Sequence, residues 1–152
     1  MTATPESLLR AWFDGVWKDA DESAADRLLH PDGLIYGLPT PDGQPIRGAD
    51  QFKPFYRAFR NAFPDVAIEL RHVVTQGPLA VAHCHVRATH AGDGLGVPAT
   101  GRSVEFEGFA MCRADGDRVA EAWNCFDFLG MYRQLGADLA FPPTGKAAGA
   151  GH

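Results

Sequence analysis

The segment EAWNCFDFLG, residues 121–130, carries one carboxylate, Asp127, at the end of a strongly apolar run. An acid among Trp123, Phe126 and Phe128 is costly to ionise if it is buried, and such a group is suited to exchange protons with a substrate. A second role is open on the same residues. Asp127 immediately precedes a helical pattern that starts at Phe128, and Asp is a favoured helix N-cap.

His83, His85 and His90 fall on one strand-like stretch. Alternation puts His83, His85, Arg87 and Thr89 on one face and His90 with Ala82, Cys84 and Val86 on the other, so only one set can point at a ligand. Between His85 and His90 the residues leave the choice open. The His83-x-His85 spacing imitates half of a cupin metal motif, but no Glu follows and no second half exists. No metal and no cofactor is expected. Tyr36, beside Gly37, is a candidate hydroxyl donor or an ordinary core aromatic. Trp12, Phe13, Phe55, Phe59, Phe106, Phe109 and Trp123 exceed what a small core needs, so some of them, Phe59, Phe106 and Trp123 among the candidates, should line a cavity. Asn124 is a candidate polar contact in that cavity if a bulge turns it inward. Glu121 either couples to Asp127 or pairs with an arginine such as Arg87 or Arg102. No Gly-x-Ser-x-Gly elbow occurs. Cys84, Cys112 and Cys125 read as small buried thiols rather than nucleophiles.

The elements that must position these groups follow from periodicity. Residues 5–18 place Leu8, Leu9, Trp12, Phe13, Val16 and Trp17 at helical spacing, with Pro5 and Glu6 suited to a first turn. A shorter helix is predicted over 21–29, then a turn at HPDG (30–33) and a short strand over 34–38. The run 39–48 reads as an exposed loop. A third helix fits 49–62, starting or kinking near Pro54. Strands are predicted over 66–75, 79–90, 102–113 and 118–127, with ADGD (114–117) as a tight hairpin. The glycines at 92, 94 and 96 suggest a flexible turn at a cavity rim. A last helix over 128–136 ends at Gly136. This order predicts an α+β domain over 1–140, with helices on one face of a strongly curved, mainly antiparallel sheet, and a disordered tail over 141–152.

Composition bounds the partners. The 152 residues have a formal net charge of −5 and show no basic cluster, which argues against nucleic acid and anionic membranes. No apolar run approaches the roughly 20 residues of a membrane span, and MTATPESLL lacks the basic flank and apolar core expected of a signal peptide, so a cytoplasmic protein is expected.

The order of elements, with its motifs, resembles the SnoaL-like polyketide cyclases, within the wider cystatin-like fold of nuclear transport factor 2 and ketosteroid isomerase. The resemblance runs from about residue 5 to 136. It is carried by the aromatic first helix with Trp12 and Trp17, the Gly48–Phe63 helix ending in AFPD, and THAG at 89–92. GVPATGR at 96–102, DGDRVAEAW at 115–123 and the Asp127–Gly130 step into QLG at 134–136 complete it. It implies a cone with an apolar interior and cofactor-independent acid/base chemistry on a small apolar carbonyl compound, such as an aldol ring closure, an isomerisation or an elimination. In the family's terms Asp127 takes the acid/base position and His90 stands as its partner. Pairing through the open sheet face, hence a homodimer, is implied too. The alternative is a non-catalytic member that binds a hydrophobic ligand or serves as a dimerisation domain.

Overall fold

In the computed structural model, which describes residues 3–138 and 140, the chain forms four helices against one face of a six-stranded sheet. The strand order is β2-β1-β6-β5-β4-β3, antiparallel except where β1 runs parallel to β6. The segment 141–152 lies outside the described residues.

Helix α1 (Pro5–Trp12) starts at Thr4, whose side chain accepts from Ser7 N while the Ser7 hydroxyl accepts from Thr4 N. It runs on as a π-helical turn over Phe13–Lys18 that buries Phe13, Val16 and Trp17. The carbonyls at that turn are satisfied from α3 (Gly48–Ala62). Tyr56 Oη donates to Val16 O at 2.8 Å and Arg60 Nη1 to Trp17 O at 2.7 Å. Phe52, Tyr56 and Phe59 recur at helical spacing on the buried face of α3. Pro54 sits within this helix at a solvent-exposed position, so α3 neither begins nor stops there. Helix α2 (Ser23–Leu28) is shorter than predicted.

HPDG is not a turn. Residues Leu29–Tyr36 form one strand, β1, whose pairing with β6 shifts register between Leu29 and Leu34; the extra residues are absorbed as an irregularity inside the strand. Ile46 and Arg47 pair with β1 as the two-residue strand β2 inside the expected loop. The remaining strands are β3 (Ala67–Gln76), β4 (Leu79–Thr89), β5 (Ser103–Asp115) and β6 (Arg118–Phe126).

Even-numbered residues of β4 and β5 face the helices: Ala80, Ala82, Cys84, Val86 and Ala88, then Val104, Phe106, Ala110 and Cys112 are all buried. Phe52 and Phe63 are almost wholly removed from water, each contributing roughly 1.5–3 kcal/mol of burial. Asp65 of AFPD joins the exit of α3 to the end of β4, accepting from Thr89 N at 2.7 Å. That bond holds its carboxyl below the ordinary value.

Helix α4 (Phe128–Gln134) closes the chain against β5. It is fastened at both ends. Asp127 accepts from Gly130 N at the start, and at the end the Gln134 amide exchanges two 2.8 Å hydrogen bonds with the Glu105 main chain.

Candidate functional site

Between α1, α3 and the inner face of the sheet lies a cavity of about 60 Å³. Trp12, Phe13 and Trp17 form one wall and Phe55 and Phe59 a second, while Ile35, Ile68, Val86, Phe106, Asn124 and Phe126 rise from the sheet. Leu38 and Phe128 complete the lining. A wider recess of about 400 Å³ lies outside, lined by the 39–41 loop, Gly94 and Leu95, and α4 residues Met131 and Tyr132. Phe55, Phe59 and Phe128 border both spaces. The inner chamber is smaller than the 300–1,000 Å³ typical of ligand sites, whereas the recess falls within that range. These three rings stand between the two spaces.

Asn124 is the one polar side chain on the cavity wall among the described residues. A bulge turns it inward, as strand alternation required: the β5–β6 register shifts between Arg113 and Ala114, so core-facing Val119 is followed by core-facing Asn124. It pairs with core-facing Ala110, opposite in alternation to Trp123 and Cys125. Its Nδ2 donates to Tyr36 O at 3.1 Å, which holds the amide plane and leaves Oδ1 and a second N–H for a ligand. Phe126 reaches the cavity because its partner in β5 is Gly108, where any Cβ would run into the Phe126 ring.

Asp127 lies between two cavity residues, yet its side chain is exposed and does not line the chamber. Its Oδ1 accepts from Gly130 N at 2.8 Å and the carboxylate lies over the Gly130 Cα, where a Cβ would collide with it. The cap role is therefore occupied. His90 and Asp127 are not partners. His90 is fully buried, its ring packs on Phe63 with centroids 5.6 Å apart, and its Nδ1 contacts Thr100 Oγ1 at 3.0 Å and accepts from Thr100 N at 3.2 Å. Its Nε2 is buried without a partner among the described residues. Its backbone also exchanges bonds with Arg102 O and Gly101 N. His90 thus fastens the far end of the 91–102 loop. That loop is pinned rather than loose: Ala91 N and Gly92 N donate to Ala62 O, and a Cβ at Gly92 or Gly94 would strike main-chain carbonyls of α3.

Of the other candidates, Phe59 and Phe106 line the chamber, whereas Tyr36, Trp123 and His85 do not. Tyr36 and Trp123 are cross-strand neighbours on the outer sheet face, stacked at 5.8 Å, and Tyr36 meets the site only through its carbonyl. His85, on the same outer face, pairs with Glu105 at 3.1 Å. Glu121 pairs with Arg113 at 2.8 Å, not with Arg87 or Arg102. Burial pushes the thiols of Cys84 and Cys112 up to about 12 and about 11, which suits no nucleophile, while Cys125 is exposed on the outer face, contrary to expectation. Sequence reasoning missed Ile35, Leu38, Ile68 and Val86 as lining residues. Strand alternation held the signal for Val86, which shares its face with His90.

An apolar, aromatic-walled cavity with one amide, enclosed between helices and a curled sheet, defines a small-molecule site of the kind this fold builds. Residues 7–135 match the family model for SnoaL-like polyketide cyclases, and the chain belongs to that family. It is 30% identical to the aklanonic acid methyl ester cyclase DnrD of Streptomyces peucetius, over 89% of this chain and 90% of that one. It is 28% identical to the corresponding enzyme DauD of Streptomyces sp. (strain C5), over 89% and 81%. Among solved structures, IdmH of Streptomyces antibioticus superposes with a TM-score of 0.76 at 26% identity, covering 89% of this chain and all of that one. No helix among the described residues is long and apolar enough to cross a membrane.

Proposed function

We propose that this chain is a cofactor-independent enzyme of the cyclase type, acting by acid/base chemistry on an apolar polycyclic carbonyl compound. The observation that carries the reading is the single amide, Asn124, on an otherwise apolar and largely aromatic cavity wall. Flat rings stack well against such walls, and one fixed N–H orients a carbonyl oxygen. The substrate seats in the outer recess and advances inward as Phe55 and Phe128 rotate. Asp127, at the root of α4 and next in sequence to Phe128 of that recess, takes the proton next to a carbonyl. The carbanion closes onto a second carbonyl carbon, and the carboxylic acid returns the proton to the new alkoxide, so no atoms are gained or lost. Only Oδ1 of Asp127 is engaged by Gly130 N, so Oδ2 remains for the proton. His90 acts in this scheme as a positioning residue for the rim loop. Isomerisation or elimination would use the same proton transfer.

The test substrate is aklanonic acid methyl ester, the compound named for both cyclase relatives. Ring closure followed by chromatography with mass detection supports the reading, and binding without conversion of this and related polycyclic ketones overturns it. Asn124→Ala is expected to weaken ligand binding roughly two- to tenfold, as the loss of one neutral hydrogen bond should. Quenching of tryptophan fluorescence measures it, because Trp12 and Trp17 line the cavity.

A second reading, a non-catalytic binder of hydrophobic ligands, is favoured by one feature: no titratable side chain lines the inner chamber among the described residues. The same assay separates the two.

The reading includes a homodimer through the outer sheet face. Val74, Val81, Met111, Trp123 and Tyr36 form one cross-strand row there, beside a second row containing Phe109. Val74 and Phe109 are 63% and 53% exposed, and a contiguous apolar sheet face of this kind marks an interaction surface. Phe109→Asp is expected to convert a sedimenting dimer into a monomer without unfolding it. A wild-type chain that sediments as a monomer would contradict the assignment.

A further inference from the structure

The outer face also carries a group of side chains that the cavity chemistry does not use. His72 of β3 stands directly across from His83 of β4. Their Nδ1 atoms are 3.1 Å apart and the rings lie within 11° of parallel. On its other side, His83 Nε2 meets Glu107 Oε1 in a short hydrogen bond. That bond holds the Glu107 carboxyl below its ordinary value. An ionised carboxylate only accepts, so His83 Nε2 carries the proton and, in the neutral ring, Nδ1 presents a bare lone pair to His72. Phe109 stacks on the His83 ring with centroids 5.1 Å apart and fixes its plane. His72 is exposed, and its Nε2 makes no hydrogen bond among the described residues, so its proton can move there at little cost.

We propose that His72 and His83 form a two-histidine clamp for a divalent transition-metal ion, bound through both Nδ1 atoms, with Glu107 as the carboxylate behind His83. Two imidazole nitrogens at about 2.0–2.1 Å from one tetrahedral ion stand roughly 3.3 Å apart, close to the spacing already present. Small side-chain rotations bring both lone pairs onto the ion, which replaces the one proton shared between the two nitrogens. A carboxylate that accepts from the far nitrogen of a metal-bound histidine fixes its tautomer and raises its basicity, and this arrangement exists before any ion arrives. Among the described residues no group of three or more His, Cys, Asp and Glu converges, so water completes the coordination. A nitrogen pair of this kind selects copper, zinc or nickel over magnesium and calcium. The clamp joins two strands and is distinct from the His83-x-His85 pair on one strand, since His85 is turned to Glu105.

The experiment titrates the full chain with zinc chloride by calorimetry and with copper(II) by electron paramagnetic resonance. One ion per chain is expected, with two nitrogen ligands visible in the copper spectrum and no heat from magnesium chloride. His72→Gln and His83→Gln should each weaken zinc binding at least tenfold, and Glu107→Gln by roughly 10- to 100-fold. His30→Gln, remote on β1 with its Nδ1 accepting from Asp32 N, should leave it unchanged. Absence of zinc binding, or an affinity unchanged from the unaltered chain in either His72→Gln or His83→Gln, overturns the clamp. The copper spectrum of the unaltered chain decides the matter even if a variant fails to fold: no coordinated nitrogen, no clamp.

Discussion

Asp127→Asn is expected to lower turnover of the polycyclic test substrate at least ~100-fold while leaving the fold and ligand affinity intact, in line with the 10²–10⁴-fold contribution of a positioned proton-transfer group. The substitution separates the two roles that meet in this side chain. Asparagine caps helices about as well as aspartate, so its oxygen can keep the Gly130 N–H and thermal stability should change by no more than about 0.5 kcal/mol. It cannot accept and return a proton. Asp127→Ala removes both functions, losing the activity and about 1 kcal/mol of helix anchoring. The melting temperature therefore separates the variants while kcat unites them. If Asp127→Asn keeps full turnover, the carboxylate is a cap alone, and the chain's chemistry must come from another group. The Gly130 position makes the geometry specific: a Cβ there would meet the carboxylate itself, so Asp127 and Gly130 act as one unit.

The legible parts of this fold were those in which one physical rule acts alone. Alternation along β4 separated the face of His90 from that of His83 and His85, and the structure shows the first to be buried and the second to be the outer one. Helical spacing marked α1 and α3. Where two rules compete, reading from residues gave the wrong answer or an open one. HPDG has turn composition, but β1 pairs with β6 on both sides of it, so it is absorbed as an irregularity inside the strand. Pro54 breaks helices in general, yet at an exposed position α3 forfeits one hydrogen bond and continues. The aromatic neighbours of Asp127 and its place before α4 point to two different roles, and the local main chain of α4 decides where its carboxylate lies. The partner of Glu121 is an arginine on the next strand, Arg113, reachable only once the β5–β6 register is known. One signal was present and unread. The two-residue turn Gly77–Pro78 pairs Gln76 with Leu79, and counting back from that pair places His72 opposite His83.

Gly37→Ala is expected to be among the most damaging single-methyl changes in the chain, destabilising it by ~3 kcal/mol or more, a fall in melting temperature on the order of 10 °C. Gly37 follows β1 with φ at +86°, a left-handed conformation that costs an L-residue roughly 1–2 kcal/mol. Its missing Cβ is also where the main-chain carbonyl of Asn124 lies. A carbonyl within β6 cannot rotate away without breaking strand pairing, so relief of the clash must move β1 against β6. Gly43→Ala is the control: φ is +70° there, but a Cβ would meet nothing within 4 Å, so only the conformational cost of about 1 kcal/mol should appear. The difference between the two variants measures the close approach itself. Its consequence reaches the site, because the carbonyl of neighbouring Tyr36 holds the Asn124 amide. Whatever Gly37→Ala protein remains folded should therefore bind ligand more weakly than Gly43→Ala at equal folded fraction, as read by tryptophan quenching. Equal affinities would mean that the β1–β6 junction does not position Asn124.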